Sequence, residues 1–305
     1  MIKLSRTRKF ADSIPSDIQK AFSDLLADVY DELNSLGGGV SSGLFPGIYG
    51  MQLSNNASDV DHDIDITAGY CYDSTMAKLI QTEAMTKQLD ATWATGTNAG
   101  LLQSGQSIGA SKTYWIYAIC SEDGRTTDFI ATEYNVAVVL PSGYVYSRRV
   151  LVVQTDASSN ILGVIHYRKG NVYHFKTRQI VVSGWSIPTS ATLQALGGPL
   201  GIKTIPIFHV TSGLPAASAA LCITIWSPGQ DEWTPGSTDA TATTFDGTMG
   251  VYFGGNTDTR GHVMTHQNKF ITNTDNQLYF KRVGTYYSSN FYSKVFSLGY
   301  VDFEV

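Results

Sequence analysis

The sequence predicts a mainly β protein: an N-terminal oligomerising α-helix followed by antiparallel β-sandwich or jelly-roll domains with one further helix. Three observations carry that prediction. From about residue 112 onward, short runs of β-branched and aromatic residues recur between Gly, Asn and Asp punctuation. Charged residues are only 15% of the chain, against a globular norm of about 25%, while Gly and Tyr number 29 and 17. One stretch near the start steps instead at helical spacing.

That stretch opens with Ser13-Ile14-Pro15-Ser16, which offers capping hydroxyls and a proline suited to a first turn. Ile18, Phe22, Leu25, Val29, Leu33 and Leu36 then step by three or four, with Asp17, Lys20, Asp24, Asp28 and Asp31 on other faces. A seam this short is marginal alone, so it must pack on its own domain or on copies of itself about a symmetry axis. The Gly37-Gly38-Gly39 break frees the helix from the β-rich remainder of the chain and favours the second. The expected organisation is therefore a tether and oligomerisation helix at 1–39, a first β-rich domain at 40–185 and a C-terminal β-sandwich at 186–305. The joint falls in the Gly- and Pro-rich stretch from Trp185 to Gly201.

The further helix is expected over Ser74 to Trp93, where Met76, Leu79, Ile80, Met85, Leu89 and Trp93 fall on roughly one side and Gly96 lies just beyond. The expected strands include Thr113 to Ile119, Val136 to Leu140, Val150 to Thr155, Ile161 to Tyr167, Asn171 to Phe175 and Gln179 to Val182. They resume at Thr204 to Val210, Leu221 to Trp226, Gly250 to Phe253, Gln277 to Arg282 and Phe291 to Phe303.

Composition narrows the function. A net charge of −5 supplies no basic field for nucleic acid. The Lys3, Arg6, Arg8 and Lys9 cluster is not succeeded by an apolar signal region, and no apolar run reaches the length of a membrane span. Cys71, Cys120 and Cys222 are odd in number and widely spaced, which argues against a disulfide framework or a zinc site and reads as buried thiols of a protein assembled in a reducing cytoplasm. No metal and no cofactor is expected.

Several motifs invite chemistry and fail on context. Gly105-Gln106-Ser107-Ile108-Gly109 matches a nucleophile elbow, yet an aromatic strand comes after it where a helix is required. Asp59, Asp61, Asp63 and Asp65 alternate with Val60, His62, Ile64 and Ile66, which lines carboxylates on one face of an extended segment. The row could hold calcium, face solvent, cap turns or pair with a neighbouring subunit; the Gly and Glu of an EF-hand loop are missing. His262 and His266 lack the Glu of a zinc-protease motif. The pairs Glu122-Asp123 and Asp231-Glu232 sit in turn-like sequence without the separation a glycosidase needs. Trp233, Tyr286 and Tyr287 are the candidate receptor-binding aromatics, because exposed rings stack on sugars and anchor interfaces.

Asp63-Ile64-Asp65-Ile66-Thr67-Ala68-Gly69, then Asp73-Ser74-Thr75, then Leu89-Asp90-Ala91-Thr92-Trp93-Ala94-Thr95-Gly96-Thr97 resembles a widespread group of phage and prophage structural proteins. The strand Thr113 to Ile119 and the element Pro141-Ser142-Gly143-Tyr144-Val145-Tyr146-Ser147-Arg148-Arg149 look similar to that group's next landmarks. The match covers about residues 46 to 175 and departs at Cys71-Tyr72 and Thr86-Lys87-Gln88, and similarity is weaker toward the C-terminus. The resemblance implies a virion protein, assembled in the host cytoplasm, with no catalytic residues to carry over. The expectation is a homotrimeric tail fibre or tail-attached adhesin that binds other virion proteins, with host cell-surface glycan as its candidate receptor. Its alternatives are a head decoration, collar or baseplate subunit that contacts only phage proteins, and a polysaccharide-degrading tailspike.

Overall fold

The computed structural model describes residues 47–185, 188–213, 221–231, 249–253, 261–263, 270–283 and 292–304. The expected N-terminal helix, with Ile18, Phe22, Leu25, Val29, Leu33 and Leu36, lies outside the described residues. Within them the chain runs through β1 (Tyr49–Gly50), β2 (Leu53–Asn55), β3 (Asp63–Ile66), β4 (Gly69–Tyr72), β5 (Leu79–Thr82), β6 (Met85–Thr92), β7 (Ala99–Leu102), β8 (Thr113–Cys120), β9 (Thr127–Glu133) and β10 (Tyr146–Gln154). It continues through β11 (Val164–Tyr167), β12 (Val172–Trp185), β13 (Thr192–Ala195), β14 (Thr204–Gly213), β15 (Leu221–Trp226), β16 (Met249–Phe253), β17 (Gly261–Val263), β18 (Gln277–Val283) and β19 (Tyr292–Asp302).

Four sheets result, in the orders β1-β4-β5, β10-β8-β9-β7-β6-β3-β2, β11-β12-β19-β14-β17 and β13-β18-β15-β16. The mainly β expectation is met, with one refinement. β7 runs parallel to both β6 and β9, so the seven-stranded sheet is mixed rather than purely antiparallel. At the β6–β7 crossing Gly100 lies so close to the Thr92 carbonyl that any side chain there would collide with it.

The helix expected over 74–93 is not formed; that segment is a turn leading into β5 and β6. Asp73 takes the amide N–H groups of Thr75 and Lys78 on its carboxylate, and Met76 sits at φ 62°, so no helical turn can start there. The apolar spacing was ambiguous. Ile80 and Thr82, then Lys87 and Leu89, are buried at period two, whereas Met76 and Leu79 face solvent. Pairing of β6 with β3, from Asp63 opposite Gln88 to Ile66 opposite Met85, decides the outcome.

Residues 47–305 form one compact unit. Across the expected 185/186 boundary, β12 pairs with β19 in one sheet, and Tyr173 and Tyr300 share a core with Leu53, Ile64, Leu89 and Ile116. Beyond that core, Phe208 of the five-stranded sheet packs on Phe270 and on Phe280 of the four-stranded sheet, at ring separations of 6.4 and 6.3 Å.

A buried polar hub stitches these layers. His166 of β11 is 1% exposed and stacks on Tyr173 at 4.3 Å, which stacks in turn on Tyr300 at 4.8 Å. Its Nδ1 accepts the Leu53 N–H at 3.1 Å, so the ring proton sits on Nε2 and is donated to Asn171 Oδ1 at 3.0 Å. The Arg168 guanidinium donates to the carbonyls of Gly50, Met51 and Val150 and to Asn171 Oδ1. Asn171 Nδ2 donates to the Asp302 carbonyl, and the Asp302 carboxylate accepts from Arg149 at 2.6 Å. The free edge of β11 is also covered, since Asn55 Oδ1 accepts the Val164 N–H and Gln52 donates to the His166 carbonyl.

Burial, and secondarily the Arg168 charge, push His166 down to about 4. The unfolded chain therefore holds more protons than the folded one between about pH 6.5 and pH 4, so stability falls as pH drops through that window. The full loss attributable to this ring is roughly 3 kcal/mol. Urea midpoints measured at pH 7 and pH 4.5 should fall further in the wild-type chain than in His166→Gln; equal falls would remove His166 as the source.

Candidate interaction surfaces

The landmark residues of the 63–97 segment are occupied by the scaffold. Ile64 and Ile66 enter the core, while Asp65 accepts from Thr86 Oγ1 at 2.7 Å and from Asn56 Nδ2 at 2.8 Å. Asp73 caps its turn. The segment from Leu89 to Thr97 wraps a buried ammonium: Lys87 Nζ donates to Asp128 Oδ1 at 3.0 Å, to the Ala94 carbonyl at 2.8 Å and to the Gly96 carbonyl at 3.1 Å. Both side chains of the pair are fully buried. Asp128 also accepts the Gly96 and Phe129 N–H groups, and Trp93, whose ring lies 5.9 Å from Nζ, donates its indole N–H to the Phe129 carbonyl. Burial lowers the Lys87 pKa and the Asp128 carboxylate opposes that shift. All three ammonium protons are used, which marks a structural ion pair rather than a free base.

Several of the other chemical candidates have structural partners. Tyr114 ties the Gly105–Gly109 loop, its hydroxyl accepting the Gly109 N–H at 2.8 Å. Asp59 caps its own turn through the Asp61 and His62 N–H groups. Asp63 shares a face of β3 with Asp65, and burial together with the nearby Asp59 and Asp90 charges holds its pKa above the usual range. Among the described residues no group of three or more His, Cys, Asp or Glu side chains is placed to hold a metal ion. Asp123 closes a turn by accepting from Ser121 and Arg125. His262 lies on β17 opposite Thr211, and His266 and Glu232 lie outside the described residues. Cys71 and Cys120 are buried free thiols, and burial pushes Cys71 up to about 12.

Trp233, Tyr286 and Tyr287 also lie outside the described residues.

The described structure shows a different aromatic surface. On the three-stranded sheet Tyr49, Tyr70 and Gln81 lie side by side across β1, β4 and β5, with Tyr72 and Leu79 in the next row. Tyr49 and Tyr70 are 42% and 40% exposed and stack at 4.9 Å with 22° between their planes. Cys71 and Ile80, on the other face, are fully buried. Rings held this way can stack on the C–H face of a sugar or anchor a protein contact at small entropic cost. The sequence carried the signal in Gly69-Tyr70-Cys71-Tyr72, where aromatic residues flank a buried thiol at strand period.

The chain matches no protein-family model and no curated protein.

Lys87→Met should cost about 3–5 kcal/mol, because it strands a buried carboxylate. Adding Asp128→Leu should restore part of that loss, leaving the Gly96 and Phe129 N–H groups without their acceptor. Denaturant midpoints of the two variants read this directly, and a double variant less stable than the single would contradict it.

Proposed function

We propose that the chain is a non-enzymatic structural and adhesive subunit of a bacteriophage particle, a tail fibre or tail-attached protein that contributes to host attachment. The observation that carries this reading is a division of labour among side chains. Residues at the phage-like landmarks are spent on closed polar networks, while Tyr49 and Tyr70 remain exposed as a stacked pair. Such a unit suits display: a stable β framework holds an uncharged aromatic row in fixed register. Repeated in an oligomer, weak single contacts with cell-surface glycan would combine by avidity.

Met76 and Leu79, 39% and 42% exposed on the same β4–β5 element, favour a second reading in which the row meets another phage protein. The subunit would then belong to a head decoration, collar or baseplate.

Particles produced from the encoding phage or prophage should contain the chain by peptide mass spectrometry, with immunogold label at the tail. Particles that lack it would end both readings, and label confined to the head would favour the second. Purified chain should bind host cells, and Tyr49→Ala with Tyr70→Ala should weaken that binding at least about tenfold without lowering the thermal midpoint by more than a few degrees.

A further inference from the structure

Two sheet edges meet without a ladder. β2 closes one end of the seven-stranded sheet and β11 one end of the five-stranded sheet, yet among the described residues no backbone-to-backbone hydrogen bond joins them. Side chains make the seam instead. His166 Nδ1 accepts the Leu53 N–H, Asn55 Oδ1 accepts the Val164 N–H, Gln52 donates to the His166 carbonyl, and Arg168 donates to the Gly50 and Met51 carbonyls. Of these contacts only the first relies on an acceptor that a proton abolishes. The imidazole stands where a strand carbonyl would stand in a ladder and, unlike a carbonyl, it titrates. A proton on Nδ1 turns the acceptor into a donor aimed at the Leu53 N–H and leaves a buried amide without a partner.

The surroundings offer that new cation no counter-charge. Its other ring nitrogen and the Arg168 guanidinium already donate to one atom, Asn171 Oδ1, at 3.0 and 3.1 Å. From β12 and β19 the ring meets the stacked phenols of Tyr173 and Tyr300. The Asp302 carboxylate of β19 is taken by Arg149 of β10 and by the Glu304 N–H, and Cys71 of β4, near Arg168, is held as a neutral thiol. We propose that the β2–β11 seam is an acid-sensitive latch: protonation of His166 disengages the two sheet edges locally, while the ladders within each sheet stay paired. Those ladders, β2 on β3 and β11 on β12, run through backbone groups and make no use of the imidazole. Burial keeps the ring neutral down to about pH 4, whereas in the opened seam it regains its ordinary value of 6.5. The latch therefore holds at neutral pH and weakens as pH falls from about 6.5 toward 4, with an opening constant roughly fiftyfold larger at pH 4.5 than at pH 7. It operates whether or not the chain is a virion component.

Amide-resolved hydrogen exchange on the full chain tests the latch. After correction for the intrinsic pH dependence of exchange, protection of the Leu53 and Val164 amides should fall roughly fiftyfold from pH 7 to pH 4.5. At both pH values it should stay below that of the β8–β9 ladder. Equal protection in the seam and that ladder would mean one cooperative unfolding and would overturn the proposal, as would a seam whose protection does not change with pH. His166→Gln cannot titrate and should cut the fall to under about threefold. A fall that persists in that variant would overturn the proposal, and its loss in Asp302→Asn would move the trigger to that carboxylate. If His166→Gln does not fold, the imidazole nitrogen shifts of the wild-type chain decide. Nδ1 should gain its proton over the pH range in which Leu53 loses protection; a protonated ring beside a seam that stays protected would refute the latch.

Discussion

The structure depends on how Arg168 answers a backbone problem. Where β1, β2 and the bulge in the middle of β10 approach the turn between β11 and β12, Met51 and Val150, both fully buried, fall outside the strand registers and present their carbonyls to Arg168. A buried carbonyl left without a donor costs about 1–3 kcal/mol. One planar guanidinium with five fixed donors reaches both of them together with the Gly50 carbonyl and Asn171. Asn171, at φ 47°, is thereby fixed to present its amide to the Asp302 backbone and its oxygen to His166. The stack His166–Tyr173–Tyr300 results from that placement, and with it the core shared by the seven- and five-stranded sheets.

Where the sequence pattern had a single reading, it located the element closely. The runs Leu221 to Trp226 and Gln277 to Arg282 appear as β15 and β18, and Phe291 to Phe303 as β19, within a residue or two. The errors arose where two periods fit the same residues. Ser74 to Trp93 offered apolar side chains at both helical and strand spacing, and pairing with β3, more than twenty residues upstream, chose the strand. Val136 to Leu140 reads as a strand and is not one. Its backbone finds a side chain instead of a neighbour: the Val139 N–H donates to Gln103 Oε1 at 2.7 Å, and Gln103 Nε2 donates to the Ala137 carbonyl. No local pattern announces that substitution.

The surfaces were harder to read than the core for a physical reason. Burial imposes period and apolarity on a strand, whereas exposure imposes only tolerance, so a lone exposed Tyr leaves little trace in sequence. Ile165, Tyr167 and Ile205 looked like ordinary strand interior because they are apolar, and only the register shows that they share the outer face of the five-stranded sheet. The acidic run shows the opposite case. Its alternation holds only from Asp63, where β3 begins and Ile64 and Ile66 turn inward, and Asp65 is engaged by Thr86 and Asn56 rather than arrayed for an ion.

The position of β19 has a temporal consequence. It lies at the centre of the five-stranded sheet, between β12 and β14, so the second side of Val172 is paired only by Val301, and Ile205 pairs with the same residue. Loop closure over such separations is entropically costly and slows folding. During synthesis the seven-stranded sheet, complete by Gln154, can assemble while β12 and β14 still flank an empty slot. Their hydrogen-bonding edges and apolar sides stay unsatisfied until residues near 300 leave the ribosome. Filling that slot acts as a completion signal, and a chain truncated before β19 would carry two open strand edges, a substrate for chaperones and for aggregation.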